Sequence, residues 1–147
     1  CVVAKQSRLF SYNKISVNNM IKDNLRILLV EDHPFQLKAT QYLLESFGFY
    51  RLITSDSAHG ALQEMLRAEQ PFDILLCDQC LPDMLGIDLV KLASQLGMIR
   101  KAILLSSLTS AELDGIESTA NIHELPLLGY LIKPLKQSEF THLLTLP

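Results

Sequence analysis

The residues best suited to chemistry interrupt short apolar runs. Glu31 and Asp32 follow "RILLV", Asp78 follows "FDILLC", Ser106 closes "KAILLS" with Ser107 next, and Lys133, itself followed by Pro134, closes "GYLIK". If those runs are strands of one parallel sheet, their polar ends share a rim. Three carboxylates there repel one another: two unit charges about 4 Å apart cost roughly 4 kcal/mol at an effective dielectric of 20. A hard divalent cation resolves the conflict, because Mg²⁺ takes oxygen ligands, accepts one or two carboxylates and keeps several waters. It leaves room for a phosphoryl oxygen. Lys133 offers a point charge and Ser106 a hydroxyl donor, both suited to the charge that develops on a transferring phosphoryl group. An aspartate carboxylate can itself accept that group. The set reads as metal-dependent phosphoryl transfer to Asp78.

A second pattern competes at the same place. Cys77 and Cys80 frame Asp78 in "CDQC", a C-x-x-C spacing that also serves redox and zinc chemistry. A redox pair usually opens a helix, where the dipole lowers a thiol pKa. Here the loop-like "LPDMLG" follows, and no second cysteine pair or histidine cluster completes a zinc site. Cys77 reads as a small core residue at a strand end. His33 follows the acidic pair and reads as an exposed residue at a helix start rather than a ligand. His59, His123 and His142 lack partner spacing.

The elements that must position these groups alternate. "RILLV" (26–30) reads as a buried strand, and Pro34 suits the first turn of a helix. Phe35, Ala39, Tyr42, Leu43 and Phe47 follow at helical spacing, with Gly48 as a stop. "YRLIT" (50–54) is a strand, and Ala58, Ala61, Leu62, Met65 and Leu66 form a helix stripe. "FDILLC" (72–77) precedes a helix over 87–96 using Ile87, Val90 and Ala93. "KAILLS" (101–106) precedes a weaker helix over 110–122 using Leu113, Ile116 and Ala120. "GYLIK" (129–133) precedes a last helix carrying Phe140, Leu143 and Leu144. Five strand–helix units imply an α/β fold, a parallel sheet covered on both faces. The first, third and fourth strands are the most continuously apolar and should be central.

The 147 residues suffice for one domain with a core. Residues 1–24 are polar, lack a sustained period and carry a net charge of +3, whereas 25–147 carry −6. They divide the chain into an N-terminal arm or linker (1–24) and a folded domain (25–147). The acidic body argues against direct nucleic-acid binding, which needs clustered Lys and Arg. No apolar run approaches the roughly 18–20 residues that span a membrane. Three cysteines are too few for a disulfide framework, so a cytoplasmic location is expected. A start at Cys rather than Met points to a cut from a longer chain.

"LLVEDHP", "LLCDQCLPDMLG", "ILLSS" and "GYLIKP" together resemble the four signatures of the response-regulator receiver domain, the phosphorylated module of two-component signalling. The resemblance covers roughly residues 25–147 and implies a doubly wound, flavodoxin-like (βα)5 fold with strand order 2-1-3-4-5. It places Asp78 as the phosphoacceptor, Glu31 and Asp32 as the acidic pair that organises Mg²⁺ or Mn²⁺, and the Cys80 backbone carbonyl as a further ligand. Ser106 matches the residue that moves toward the phosphoryl group, Lys133 the paired lysine, and Tyr130 the aromatic switch. Pro134 should follow a cis peptide bond, and Pro82 and Gly86 match the loop after the acceptor. The implied partners are a sensor histidine kinase or phosphotransfer protein and an output domain in a longer chain. A homodimer is compatible with this. "EDHPFQ" and the stretched fourth-helix region together look somewhat like receivers joined to cyclic-di-GMP phosphodiesterases. Such a module is a switch that catalyses only its own phosphoryl transfer and loss.

The chain departs from that pattern in three places. Leu85 stands where a second acid is common. Leu108 is apolar where a polar residue often helps water reach the phosphoryl group, which implies slow decay. Ser106 and Lys133 lie 27 positions apart, with "NIHELPLLG" (121–129) as extra material, which touches the usual output surface. A receiver-like module that docks without phosphorylation is the competing expectation. An Asp-x-Asp phosphohydrolase is excluded by Cys80 at the second Asp position. A nucleotide-binding flavodoxin relative is disfavoured because "EDHP" would repel a phosphate.

Overall fold

The computed structural model describes residue 22, residues 24–106 and residues 124–145. The expected helix over 110–122, together with Ser107, Leu108, His123 and nearly all of the arm, lies outside the described residues.

The described chain runs β1 (Arg26–Val30), α1 (Pro34–Ser46), β2 (Arg51–Ser55), α2 (Ala58–Arg67), β3 (Phe72–Asp78), α3 (Gly86–Gln95), β4 (Ile99–Ser106), β5 (Leu127–Ile132) and α4 (Gln137–Leu144). The five strands form one parallel sheet in the order β2-β1-β3-β4-β5. The three most apolar strands are its centre, as their composition requires.

Side chains alternate across a pleated strand, so a strand buried on both faces must be apolar at every position. Ile27, Leu29, Ile74, Leu76, Ile103 and Leu105 point into one core, packed under α1 and α4 with Leu44, Phe49 and Phe140. Leu28, Val30, Leu75, Cys77, Ala102 and Leu104 point into the other, under α2 and α3 with Ala61, Met65, Leu89 and Val90. Phe49 and Phe140 meet edge to face at 5.2 Å between ring centroids, a favoured aromatic geometry.

Helix starts and stops follow local chemistry. Pro34 occupies the first turn of α1, where its missing N–H costs nothing. Gly48 follows that helix with φ +99°, a conformation that side chains with a Cβ rarely adopt. Ser57 caps α2 by accepting the Gly60 N–H.

The apolar stripe of α1 differs from the expectation. Thr40 and Leu44 are its buried positions, whereas Phe35 and Tyr42 are 79% and 71% exposed. Ala39 is exposed too. On α2, Ala58, Ala61 and Met65 are buried as expected, but Leu66 is exposed. Among the described residues, no helix is long and apolar enough to cross a membrane.

Candidate functional site

Each strand that carries a functional residue delivers it at the carboxyl end of the sheet, where parallel α/β sheets form their sites. β1 ends at Val30, and the next residue, Glu31, is fixed by its N–H donating to the Ser55 carbonyl at 3.0 Å. Its side chain is 1% exposed, while Asp32 beside it is open to solvent. β3 ends on Asp78, 8% exposed. β4 ends on Ser106, 1% exposed, whose carbonyl accepts the Lys133 N–H at 3.2 Å. Lys133 comes one residue after β5, and its bond to Pro134 is cis.

These residues converge. The Lys133 ammonium donates to Glu31 Oε2 at 2.8 Å, Gln36 Oε1 at 2.9 Å and Asp78 Oδ2 at 3.0 Å. An ammonium has three donors, so all three have acceptors. The other Asp78 oxygen accepts the Cys80 N–H at 3.3 Å, and Glu31 Oε1 accepts the His33 N–H at 3.3 Å. Burial lifts the Glu31 carboxyl above its ordinary value; the Lys133 hydrogen bond pulls it down, and the Asp78 charge pushes it up again. Burial works against the Lys133 charge, but Glu31 and Asp78 outweigh it and raise that pKa.

Glu31, Asp32 and Asp78 each offer a carboxylate oxygen, all within 4.8 Å of one another. Two anionic groups in the cluster are buried, and all the donors are hard oxygens, the set that suits Mg²⁺ or Mn²⁺. The donor chemistry therefore fits the expected ion. Cys77 and Cys80 do not make a thiol pair with common surroundings. Cys77 is sealed in the core, where burial first, then the charges of Asp78 and Glu31, push its thiol upward; Cys80 is exposed, and both are free. A buried thiol of raised pKa is a poor nucleophile and a poor ligand.

The loop after Asp78 is tightly held. Gly86 begins α3 so close to Asp78 that an added Cβ would lie 2.5 Å from the Asp78 carbonyl oxygen and 3.0 Å from Cys77 Sγ. The Gly86 N–H donates to the Gln79 carbonyl, and the buried Gln79 side chain accepts the Ile87 N–H at 3.0 Å. Leu85 pairs with Cys80 across the loop in an isolated antiparallel bridge. Pro82 is exposed on it. Tyr130 is partly buried on β5, against the α2–α3 core. His33, His59 and His142 are exposed, and none of their rings is part of the acidic group. Sequence reasoning missed Gln36, Gln79 and Asp83. Gln36 had one available signal, since it lies within the first turn of the helix that leaves the rim.

A family model described as response regulator receiver domain matches residues 27–145. The transcriptional regulatory protein ZraR of Escherichia coli K12 is 31% identical over 116 residues, covering 79% of this chain and 24% of that protein. The two-component response regulator ORR1 of Oryza sativa subsp. japonica is 29% identical over 125 residues, covering 80% of this chain and 53% of that protein. The chain thus spans from about a quarter to about half the length of these curated relatives. Among solved structures, a CheY-like receiver domain protein from Methanospirillum hungatei JF-1 superposes with a TM-score of 0.63 at 28% identity, over 80% of this chain and 88% of that one.

Proposed function

This chain belongs to the response regulator receiver domain family, the receiver module of two-component response regulators, and on that premise we propose that Asp78 accepts its phosphoryl group. The observation that carries the assignment is the convergence of Asp78, Glu31 and Lys133 within hydrogen-bonding distance. Glu31, Asp32, Asp78 and the Cys80 carbonyl would hold Mg²⁺ or Mn²⁺. The ion, when bound, would neutralise phosphoryl oxygens.

The donor is a phosphohistidine on a sensor kinase or phosphotransfer protein. An Asp78 oxygen attacks phosphorus in line as the P–N bond breaks; that bonding pair returns to the imidazole nitrogen, and an acyl phosphate forms on Asp78. Lys133 gives up one carboxylate partner and donates to a phosphoryl oxygen. Ser106 hydrogen-bonds another. Its movement biases Tyr130 and hence the β4–β5 side of the sheet, a two-state shift toward an output domain or partner. Residues 25–147 act as the receiver unit, with 1–24 as an arm or linker.

Intact mass after incubation with Mg²⁺ and acetyl phosphate tests the assignment. Wild type should gain one phosphoryl group and Asp78→Asn none. Equal gain in both proteins would move the acceptor elsewhere. No gain in wild type, even with a purified phosphohistidine donor, would favour a module that docks without phosphorylation.

A further inference from the structure

The loop over residues 79–85 leaves β3 immediately after Asp78 and returns as α3. Both ends are fixed. At one, the Gln79 N–H donates to the Leu105 carbonyl at 3.0 Å; at the other, the Gly86 N–H donates to the Gln79 carbonyl at 2.8 Å. Between them, the Cys80 N–H touches the Asp78 carboxylate, so a displacement of the loop is felt at the acceptor. Leu81 is buried under the loop, but Pro82 and Asp83 at its tip are exposed.

Asp83 reaches out of the loop to a different element. Its Oδ1 accepts the Ala58 N–H at 3.0 Å and its Oδ2 the His59 N–H at 2.8 Å, both in the first turn of α2. Among the described residues, no other hydrogen bond ties the tip to another element. Helix starts leave N–H groups without intrahelical partners and favour an anion. Yet α2 already has a local cap, because Ser57 Oγ accepts the Gly60 N–H at 3.0 Å. Slight burial works against ionisation of Asp83, but the His59 and Ala58 amides outweigh it and hold the carboxyl below its ordinary range.

We propose that Asp83 is a positioning residue for the metal site: by gripping two amides of α2, it holds the loop so that Cys80, whose N–H meets the Asp78 carboxylate, keeps its place beside the acidic group. This rests on the reading of that rim as a divalent-cation site. Asp83 touches neither ion nor phosphoryl group. It acts through the path of the backbone, and removing it leaves every proposed ligand present but less well placed.

The test is a calorimetric titration with Mg²⁺ at neutral pH, alongside melting curves without the ion. Losing a residue bonded directly to a ligand typically weakens metal affinity about 10–100-fold, and Asp83 is one step further away, so Asp83→Ala should raise the Mg²⁺ Kd about threefold or more. Asp83→Asn has one carbonyl oxygen for two amides and should fall between the two; if the alanine variant fails to fold, the asparagine variant carries the comparison. Ser57→Ala removes the local cap of α2, so it should lower the melting temperature and leave the Mg²⁺ Kd unchanged. Unaltered affinity in both Asp83 variants would overturn the positioning role. So would equal weakening in Ser57→Ala, which would trace the effect to helix stability. A wild type that binds no Mg²⁺ would overturn the metal reading and the positioning role with it.

Discussion

Replacing Lys133 with methionine should destabilise the metal-free protein far more than the Mg²⁺-loaded one. The ammonium lies 2.8 Å from Glu31 and 3.0 Å from Asp78, and the side chains of Glu31, Asp78 and Lys133 are 1%, 11% and 21% exposed. Methionine keeps much of the apolar stem but leaves two neighbouring carboxylates without a counter-charge. Removing one partner of a fully buried ion pair costs about 3–5 kcal/mol, and the partial exposure of Lys133 lets water offset some of it, giving about 2–3 kcal/mol. For a domain of this size that corresponds to a melting temperature lower by about 6–12 °C. A divalent ion supplies the missing positive charge and binds the folded state alone, so saturating Mg²⁺ should shrink the deficit to about 1 kcal/mol or less. The chain has no tryptophan, so urea unfolding followed by far-ultraviolet circular dichroism, in chelator and in Mg²⁺, is the assay. The pH dependence has a fixed sign. Lys133 has a folded-state pKa above its ordinary 10.5, so its contribution is fully present below pH 10.5 and is lost only as pH rises through the raised value. The gap between the two proteins should therefore persist across neutral pH. Equal deficits with and without Mg²⁺, or a metal-free deficit under about 0.5 kcal/mol, would refute this account of the rim.

Two further outcomes follow from the surroundings of Asp78. Gly86→Ala places a methyl group 2.5 Å from the Asp78 carbonyl oxygen; the backbone must shift, costing about 1–3 kcal/mol and weakening Mg²⁺ binding in the same titration. A variant that melts and binds like wild type would show that this approach is not tight. Peptide mapping after alkylation of the native protein should find Cys80 modified and Cys77 protected until unfolding, since Cys77 is sealed and its thiol pKa is raised. Similar labelling rates at both positions would contradict the packing of β3.

How far the fold could be read from the sequence varied with burial. β1, β3 and β4 are covered on both sides, so each left a short unbroken apolar run, and the turn residues and helix stripes between them marked the runs as strands. β5 extends from Leu127, two residues ahead of "GYLIK", because the chain is already paired there: the Ala102 N–H donates to the Pro126 carbonyl. α1 shows what periodicity leaves open. Of the expected stripe, Leu43 and Phe47 pack partly buried against the core while Phe35, Ala39 and Tyr42 face solvent, and a neighbouring stripe runs through Thr40 and Leu44; helical spacing does not say which faces inward. The sheet buries the second. The places of Glu31, Asp78, Ser106 and Lys133 at the carboxyl end of the sheet were legible because each ends an apolar run at a strand terminus. Gln36 and Asp83 were not. Polar residues at helix starts and in turns are commonplace, and their roles depend on contacts 97 and 25 positions away.

The bond between Lys133 and Glu31 joins residues 102 positions apart, and that between Lys133 and Asp78 spans 55. β4 also lies between the strands that bring Asp78 and Lys133 together. Contacts this distant in sequence form only after most of the chain entropy has been lost. A growing chain that had completed β3 but not β5 would hold its acids without their ammonium, and a fragment ending before Leu127 would never acquire it. The rim therefore comes into being with the last strand of the sheet. Partly made or partly unfolded molecules lack this ion-paired rim, so whatever the proposed site does is available only to chains that have folded through β5.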